Sequence, residues 1–244
     1  ARFWFVVVIT GVQVLPESIL CSIKNPVCAV PVGLFQTKSI CVSDCTVVVT
    51  AAGGVGIAIL QLAKARKCEV LAMAGSDEKL DFLKKAGADH VFNYRKADYK
   101  DWASEIAGEQ GLDVVFNSVA GDTFKKDLNI LGSGGRLVVY GAAQRSSMGN
   151  SILATPKLLW KMGLVIPIKL MMNSQAIIGV NMLKIGDNKP EQLTSCLNGV
   201  MRLFRNGVIN PVTDQEFNYK DIAKAHALLE SRKSIGKIAV RWGD

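Results

Sequence analysis

The chain has 244 residues, 49% of them hydrophobic, which is enough to bury a substantial core in one large domain or slightly more. Its 29 Lys and Arg residues exceed its 21 Asp and Glu residues, and the net charge of +8 favours small anionic partners such as nucleotide phosphates. The basic residues are scattered between acidic ones, so we do not expect nucleic-acid binding.

Residues 3–9 (FWFVVVI) form a continuous apolar run near the beginning of the sequence. The run is much shorter than the roughly 20 residues that a membrane span requires. A buried strand is favoured over a signal-peptide core, because Arg2 is the only basic flanking residue and no small-residue cleavage site follows at once. We therefore expect a soluble, cytoplasmic protein.

The cysteines and histidines do not have the spacing of a metal site. Cysteines stand at positions 21, 28, 41, 45, 68 and 196, without any Cys-x-x-Cys pair. The two histidines, His90 and His226, are far apart in the sequence. We expect no zinc and interpret the cysteines as buried or loop thiols in a reducing compartment.

From residue 46 onward, apolar runs of strand length alternate with segments of helical period. The predicted strands are 47–50, 69–74, 90–94, 113–119, 136–141 and 176–181, and the predicted helices between them are 54–66, 76–86, 98–108, 122–131 and about 156–164. Strands that are apolar on both faces and are followed by helices indicate a parallel sheet covered on both sides. We predict an α/β fold with a doubly wound, six-stranded parallel sheet. Beyond it we expect a helix at about 189–206, an extended piece at 211–217, a helix at 219–232 and a strand at 237–242.

Residues 51–56 (AAGGVG) stand between the first predicted strand and the first predicted helix. Ala51, Gly53 and Gly56 have the spacing of a dinucleotide-binding fingerprint, with alanine in place of its first glycine. Ala51 permits the tight turn, Gly53 lets backbone amides approach a pyrophosphate, and Gly56 lets the helix pack closely on the strand. A plain tight turn is the alternative, but the position before a helix that can bind phosphates favours a dinucleotide.

The end of the second predicted strand indicates which dinucleotide is bound. An acid at this place normally holds the ribose 2'-hydroxyl of NAD. Here Gly75 and Ser76 occupy it, and Lys79 follows on the first helical turn. Ser76 and Lys79 could hold a 2'-phosphate, which favours NADPH. Alternatively, Ser76 is an ordinary N-cap and Lys79 is solvated, and both interpretations can hold because helix starts also bind anions.

Several stretches resemble a known family: residues 47–95, residues 113–143 (DVVFNSVAGDTFKKDLNILGSGGRLVVYGAA) and residues 225–240 (AHALLESRKSIGKIAV). They look like the medium-chain dehydrogenase/reductase superfamily, in its zinc-independent quinone oxidoreductase-like branch. Within that branch, residues 171–183 (MMNSQAIIGVNML) and 206–230 are most similar to the group of synaptic vesicle membrane protein homologues. The resemblance covers about residues 45–242.

The resemblance implies an NADPH site and a reaction. The implied cofactor-binding residues are Ala51, Ala52, Gly53, Gly54, Val55, Gly56, Ser76, Lys79, Tyr94, Asn117, Val119, Gly141, Ala142 and Asn181. Residues 52–55 would contact the pyrophosphate, and Ser76, Lys79 and Tyr94 would surround the adenosine 2'-phosphate. The adenine or nicotinamide ribose would be lined by Asn117, Val119, Gly141 and Ala142, and Asn181 would lie near the nicotinamide. The implied reaction is hydride transfer to a quinone or to an activated alkene or carbonyl, without a metal. No catalytic residue is identified.

The resemblance also implies a division of the chain. Residues 1–45 would be a remnant of a GroES-like catalytic domain with its connector, residues 46–208 the NADP-binding Rossmann domain, and residues 209–244 a return segment to the catalytic domain. Most of that catalytic domain is missing, so we expect the strand near 237–242 to be covered by the N-terminal segment or by a partner chain. A catalytically reduced nucleotide-binding protein, associated with a membrane or a partner, is the alternative function.

Partners follow from the same considerations. We expect a small-molecule substrate and a homodimer. The stretch 156–172 (PKLLWKMGLVIPIKLMM) mixes apolar residues with Lys157, Lys161 and Lys169. It either covers the core after the fifth strand or forms a substrate wall or a membrane-contacting face.

Overall fold

The computed structural model describes residues 45–143 and 154–242. The strands of its main sheet are β1 (Thr46–Thr50), β2 (Glu69–Ala74), β3 (His90–Asn93), β4 (Leu112–Asn117), β5 (Leu131–Val139) and β6 (Ala176–Gly179). They are parallel and lie in the order β3-β2-β1-β4-β5-β6. The order reverses between β1 and β4, and ligands of such sheets bind at the carboxyl ends of the strands near this reversal.

Helices connect the strands and continue beyond the main sheet. Those up to β6 are α1 (Gly54–Ala65), α2 (Asp77–Lys85), α3 (Tyr99–Ala107), α4 (Asp122–Ile130), α5 (Ala154–Met162) and α6 (Pro167–Met172). After β6 come α7 (Met182–Asn188), α8 (Pro190–Arg205), β7 (Thr213–Asn218), α9 (Ile222–Glu230) and β8 (Lys237–Arg241). The predicted doubly wound α/β fold is thereby confirmed.

The main sheet buries apolar side chains on both faces. Alternation along β1 sends Val47 and Val49 into one cluster, which contains Leu60 of α1. Val48 points into the other cluster, which contains Ala103 of α3. All five side chains are fully buried. The continuous run of valines is therefore explained by a strand that is covered on both sides, as parallel sheets require.

Some predicted boundaries differ from the structure for identifiable reasons. The strand predicted at 136–141 already begins at Leu131, which pairs with Leu112. The pairing resumes with Arg136 opposite Val114, so the glycine-rich residues 132–135 form an irregularity inside the strand. The Gly134 amide donates to the Ser174 carbonyl at 2.7 Å. Helices α6 and α7 are short and were not predicted, because six or seven residues give too few turns for a helical period to be recognised.

The last strand is paired differently from the expectation. β8 pairs in parallel with β7, with Thr213 opposite Lys237 and Asn218 opposite Arg241. Helix α9 packs on this two-stranded sheet through a small core formed by Ala225, Ile238 and Val240. One edge of β8 is therefore covered by a nearby segment of the same chain. The N-terminal segment proposed to cover this strand, including residues 3–9, lies outside the described residues.

The stretch 156–172 has two different sides. Leu158 is buried, and Met162 and Val165 pack on the core of the main sheet. Trp160 and Leu164, by contrast, are 86% and 88% exposed. The stretch therefore covers the core with one side and leaves apolar surface on the other. Across residues 45–143 and 154–242, no helix is both long enough and apolar enough to cross a membrane.

Two of the cysteines form a disulfide, so the prediction of free thiols is wrong for them. Cys45 precedes β1 and Cys68 precedes β2, and their Cα atoms are 4.9 Å apart. The pairing of Thr46 with Glu69 in adjacent parallel strands brings the two preceding residues together. Cys196 is a buried free thiol. The cysteines at positions 21, 28 and 41 lie outside the described residues.

Candidate functional site

The turn between β1 and α1 is built from backbone. Gly53 is the N-cap of α1, with φ −88° and ψ 164°, and no side chain caps this helix. A β-carbon at Gly53 would have no atom within 4 Å, whereas one at Gly56 would lie 2.4 Å from the carbonyl oxygen of Thr50. The turn therefore packs too tightly for a side chain at Gly56 and opens to free space at Gly53. Its helix N-terminus is suited to an anion.

A segment near the end of the described chain lies against this turn. Gly236 forms an isolated parallel bridge with Gly53, and its amide donates to the Ala52 carbonyl at 3.0 Å. The alkyl chain of Lys237 lies over Gly54, where its Cε would be 2.2 Å from an added β-carbon. Burial lowers the pKa of the Lys237 ammonium. Lys237 was not predicted as a site residue, because it is 183 residues away from Gly54 in the chain.

The end of β2 is a second part of the candidate site. Ser76 is the N-cap of α2, and its side chain makes no capping hydrogen bond. A β-carbon at Gly75 would lie 2.8 Å from the hydroxyl oxygen of Tyr94 and 2.9 Å from Nε of Arg95. Tyr94 is 44% exposed. Gly75 thus allows the end of β3 to approach, and this brings Tyr94 and Arg95 next to Ser76.

Lys79 adds a second basic side chain near Arg95. Its Nζ donates to the Arg232 carbonyl at 2.8 Å. Burial is the main cause that lowers the pKa of Lys79, and the charge of Arg95 lowers it further, whereas Asp214 opposes both. The alternative interpretation, in which Lys79 is a solvated side chain, therefore does not describe the structure. The contact with Arg232 links this part of the site to the segment that also reaches the glycine turn.

The acid closest to Ser76 in sequence is held by other partners. Asp77 accepts from Nζ of Lys96 at 2.7 Å and from Nδ2 of Asn93 at 2.9 Å. These hydrogen bonds, led by that from Lys96, lower the pKa of the Asp77 carboxyl. Because its charge is compensated by Lys96, Asp77 opposes an anion near Lys79 and Arg95 less than its sequence position suggested.

The turn between β4 and α4 is held by side chains. Asn117 ends β4, and its Oδ1 accepts from the amides of Val119 at 2.8 Å and Ala120 at 2.7 Å. Its Nδ2 donates to Thr123 Oγ1 at 2.8 Å and to Asp127 Oδ2. Ala120 has φ 60°, a conformation that costs a non-glycine residue about 1 to 2 kcal/mol. The hydrogen bonds of Asn117 therefore hold a turn that is intrinsically unfavourable.

Asp127 lies beneath this turn, in the core. It is 2% exposed, and its Oδ1 accepts from the Tyr99 hydroxyl at 2.5 Å. Burial raises the pKa of Asp127 to about 6, although the hydrogen bonds from Tyr99 and Asn117 and the charge of Lys126 lower it. Burial likewise raises the pKa of Tyr99. Asp127 was not predicted as a site residue, because a polar residue inside a helix usually faces solvent.

The ends of β5 and β6 complete the carboxyl edge. A β-carbon at Gly141 would lie 2.7 Å from the Ser118 carbonyl oxygen, which accepts from the Ala143 amide at 3.0 Å. Gly141 thus lets the chain after β5 lie close to the β4–α4 turn, and the adjacent Ala142 is exposed. Asn181 follows β6 as the N-cap of α7, where its Oδ1 accepts from the Lys184 amide at 3.2 Å.

All the site residues named from sequence lie at the carboxyl edge of the main sheet. They form two groups: Ala51, Ala52, Gly53, Gly54, Val55, Gly56, Ser76, Lys79 and Tyr94 follow β1, β2 and β3, whereas Asn117, Val119, Gly141, Ala142 and Asn181 follow β4, β5 and β6. Arg95 and Lys237 lie beside the first group, and Asp127 lies beneath the second.

A large cavity lies at the opposite edge. It has a volume of about 1150 Å³ and is lined by residues that include Thr46, Asp113 and Gln175, which stand within one residue of the starts of β1, β4 and β6. Its wall also contains the exposed Leu164 and Met172. We place the candidate site at the carboxyl edge instead, because that edge has the glycine turn and the order reversal of the sheet.

The fold and the carboxyl-edge turns agree with a family model. The model described as "zinc-binding dehydrogenase" matches residues 54–196, which include the glycine turn and the β4–α4 turn. The chain belongs to this family, and it is a quinone oxidoreductase-like member of the medium-chain dehydrogenase/reductase superfamily. The resemblance stated from the sequence is therefore confirmed.

Among individual relatives, the chain is 29% identical to the quinone oxidoreductase of Rattus norvegicus over 206 residues, which are 84% of this chain and 56% of the relative. It is 29% identical to the synaptic vesicle membrane protein VAT-1 homolog of Danio rerio over 189 residues, which are 77% of this chain and 39% of the relative. The chain thus spans about half the length of such relatives or less.

A solved structure of quinone oxidoreductase from Escherichia coli, complexed with NADPH, resembles the fold with a TM-score of 0.65. The two proteins are 28% identical, and the match covers 82% of this chain and 57% of the other. In the part of the chain that the structure describes, no group of three or more His, Cys, Asp and Glu side chains could hold a metal ion. The described residues therefore do not themselves form the kind of zinc site that the description of the family implies.

Proposed function

We propose that this chain is the nucleotide-binding part of an NADPH-dependent, zinc-independent oxidoreductase that transfers a hydride to a quinone or to an activated alkene or carbonyl. The proposal rests chiefly on the glycine turn, where Gly53 opens to free space at the uncapped start of α1. The NADPH complex of the Escherichia coli quinone oxidoreductase, a protein with a similar fold, supports the choice of cofactor.

In this proposal, each part of the carboxyl edge holds a different part of the cofactor. The amides at the start of α1 and the ammonium of Lys237 bind the pyrophosphate, whose negative charge both groups favour. Ser76, Lys79 and Arg95 bind the 2'-phosphate. The β4–α4 turn, with Gly141 and Asn181, would receive the nicotinamide ribose and ring.

The chemistry of the reaction comes mainly from the cofactor. When bound, the nicotinamide supplies the hydride, and the protein orients it towards the substrate and excludes water. The described residues 45–143 and 154–242 do not identify an acid that could protonate the reduced substrate, so we assign no catalytic residue. A quinone needs less help from the protein than a simple ketone, because its reduction produces an aromatic ring.

The cofactor preference can be tested with Lys79. If Lys79 holds the 2'-phosphate, Lys79→Ala should weaken NADPH binding by about 1.5 to 3 kcal/mol and change NADH binding little. Binding is measured by energy transfer from tryptophan to the nicotinamide during titration with each nucleotide. Lys84→Ala is the matched control, because Lys84 is exposed in the last turn of the same helix. An equal loss for both nucleotides would contradict the assignment.

The hydride transfer is tested separately. NADPH oxidation is followed by absorbance with a water-soluble test quinone and with an activated alkene. Turnover that depends on either acceptor supports the proposed reductase. Tight NADPH binding without any turnover would favour the alternative, a catalytically reduced nucleotide-binding protein.

A further inference from the structure

Two polar side chains lie in the core below the β4–α4 turn. Asn117 and Asp127 are 3% and 2% exposed, and within residues 45–143 and 154–242 they are the only buried polar or charged residues apart from tyrosines. A carboxylate in the core is unfavourable unless hydrogen bonds compensate for the lost water. A purely structural contact between α3 and α4 could be made by apolar side chains, so the presence of this carboxylate requires another explanation.

The orientation of the Asn117 carboxamide determines what Asp127 must do. Oδ1 of Asn117 accepts two backbone amides, those of Val119 and Ala120. Rotating the carboxamide by half a turn would place an NH₂ group against these two N–H donors. Nδ2 must therefore point away from the turn, where it needs acceptors, and Asp127 Oδ2 is one of the two that it finds.

The groups around Asp127 suit its ionised form. Tyr99 of α3 donates to its other oxygen, so both carboxylate oxygens accept a hydrogen bond. Lys126, its neighbour on α4, is the nearby positive charge and forms an ion pair with Asp98 at 2.6 Å. A proton on Asp127 would face the Asn117 or Tyr99 donor, and only the Tyr99 hydroxyl could turn to accept it.

We propose that Asp127 is a positioning residue for the cofactor: its carboxylate orients the Asn117 carboxamide, which holds the Val119 and Ala120 amides and thereby the shape of the β4–α4 turn. The inference rests on the proposed function, because this turn is where we place the nicotinamide ribose. Asp127 itself lies in the core and acts through Asn117.

The effect on the turn is tested without any cofactor. The amide NMR signals of Val119 and Ala120 are followed from about pH 5 to pH 8 in wild type and in Asp127→Asn. Wild type should show a common titration near pH 6, where Asp127 gains its proton, and Asp127→Asn should not. Asp101→Asn is the control, because it makes the same change at an exposed position of α3 and should keep the titration. Absence of the wild-type titration, or its persistence in Asp127→Asn, would overturn the proposal.

The effect on the cofactor is tested by NADPH binding over the same pH range. When the pH is lowered from neutral to below 6, the affinity of wild type for NADPH should fall about tenfold more than that of Asp127→Asn. Asp127→Ala, which leaves Asn117 without this acceptor, should bind about tenfold more weakly throughout, with unchanged circular dichroism. Equal affinities in all three proteins would overturn the positioning role alone. If no protein binds a nucleotide but the amide titration is present, the proposed function and the cofactor role of Asp127 both fail, and only its effect on the turn stands.

Discussion

The β1–α1 turn and the β4–α4 turn lie at the same edge of the sheet but are built in opposite ways. The first has no side-chain cap and depends on Gly53 and Gly56, so its shape follows from the absence of side chains. The shape of the second turn depends on a buried amide and a buried carboxylate, those of Asn117 and Asp127. We infer that the first turn is sensitive to added volume and the second to a lost or protonated hydrogen-bond partner.

The largest expected effect comes from adding volume to the first turn. In Gly56→Val the new side chain would collide with the Thr50 carbonyl and the Ala51 backbone, so we expect a loss of at least about 3 kcal/mol in the free energy of unfolding. Urea unfolding measures the loss. Gly53→Ala is the matched control: it meets no atom and has a permitted φ of −88°, so its stability should change by less than about 0.5 kcal/mol. Similar losses in both variants would contradict the proposed difference between the two glycines.

A second change should affect both turns together. The Cys45–Cys68 disulfide closes a loop with a sequence separation of 23 at the opposite edge of the sheet. Cys68→Ser should lower the free energy of unfolding by about 3 kcal/mol, because the unfolded chain gains freedom. Wild type in dithiothreitol should lose a similar amount, whereas Cys196→Ser, which removes a free thiol, should keep its sensitivity to reductant. Insensitivity of wild type to reductant would show that this link does not stabilise the sheet.

The smallest expected effect concerns the second turn and pH. The pKa of Asp127 is about 6 in the folded protein against a reference of 3.8, so the folded state binds this proton more tightly than the unfolded state. The stabilisation that comes from the tighter binding of this proton is complete below the reference pKa. It is lost as pH rises through the pKa that Asp127 has in the folded protein. From about pH 4.5 to about pH 7.5, wild type should therefore lose about 2 kcal/mol relative to Asp127→Asn.

Comparison with Asp127→Asn is necessary because the contributions of other acids to stability change with pH in the opposite direction. Partners lower the pKa values of Asp77, Asp98 and Glu216, so these groups stabilise the protein more as pH rises. Their contributions are the same in both proteins and cancel in the difference. Urea unfolding at several pH values gives that difference, and parallel pH profiles would contradict the assignment of a raised pKa to Asp127.

The first turn could be predicted from the sequence because its chemistry is local. Ala51, Gly53 and Gly56 lie within six residues, and the strand and helix on either side have strong patterns. The main sheet could be predicted for the same reason, since each strand is a short apolar run followed by a helical period. In both cases the relevant residues are close in the chain.

Features that depend on the packing of distant segments could not be predicted. Asp127 has the sequence context of an ordinary surface acid, and only the packing of α3 on α4 brings Tyr99 to it. Cys45 pairs with Cys68 because two parallel strands start side by side, whereas Cys41 was the closer cysteine in sequence. The cavity at the opposite edge is likewise formed by segments that are far apart in the sequence.

The bridge between Gly53 and Gly236 has a consequence for biosynthesis. Gly53 and Gly236 are 183 residues apart in the chain, so the ribosome makes the glycine turn well before the segment that lies against it. Contacts of such long sequence separation form late, because a large loop must close first. The sheet can therefore begin to form during translation, whereas the contact of Gly236 with the glycine turn forms only after residue 236 has left the ribosome.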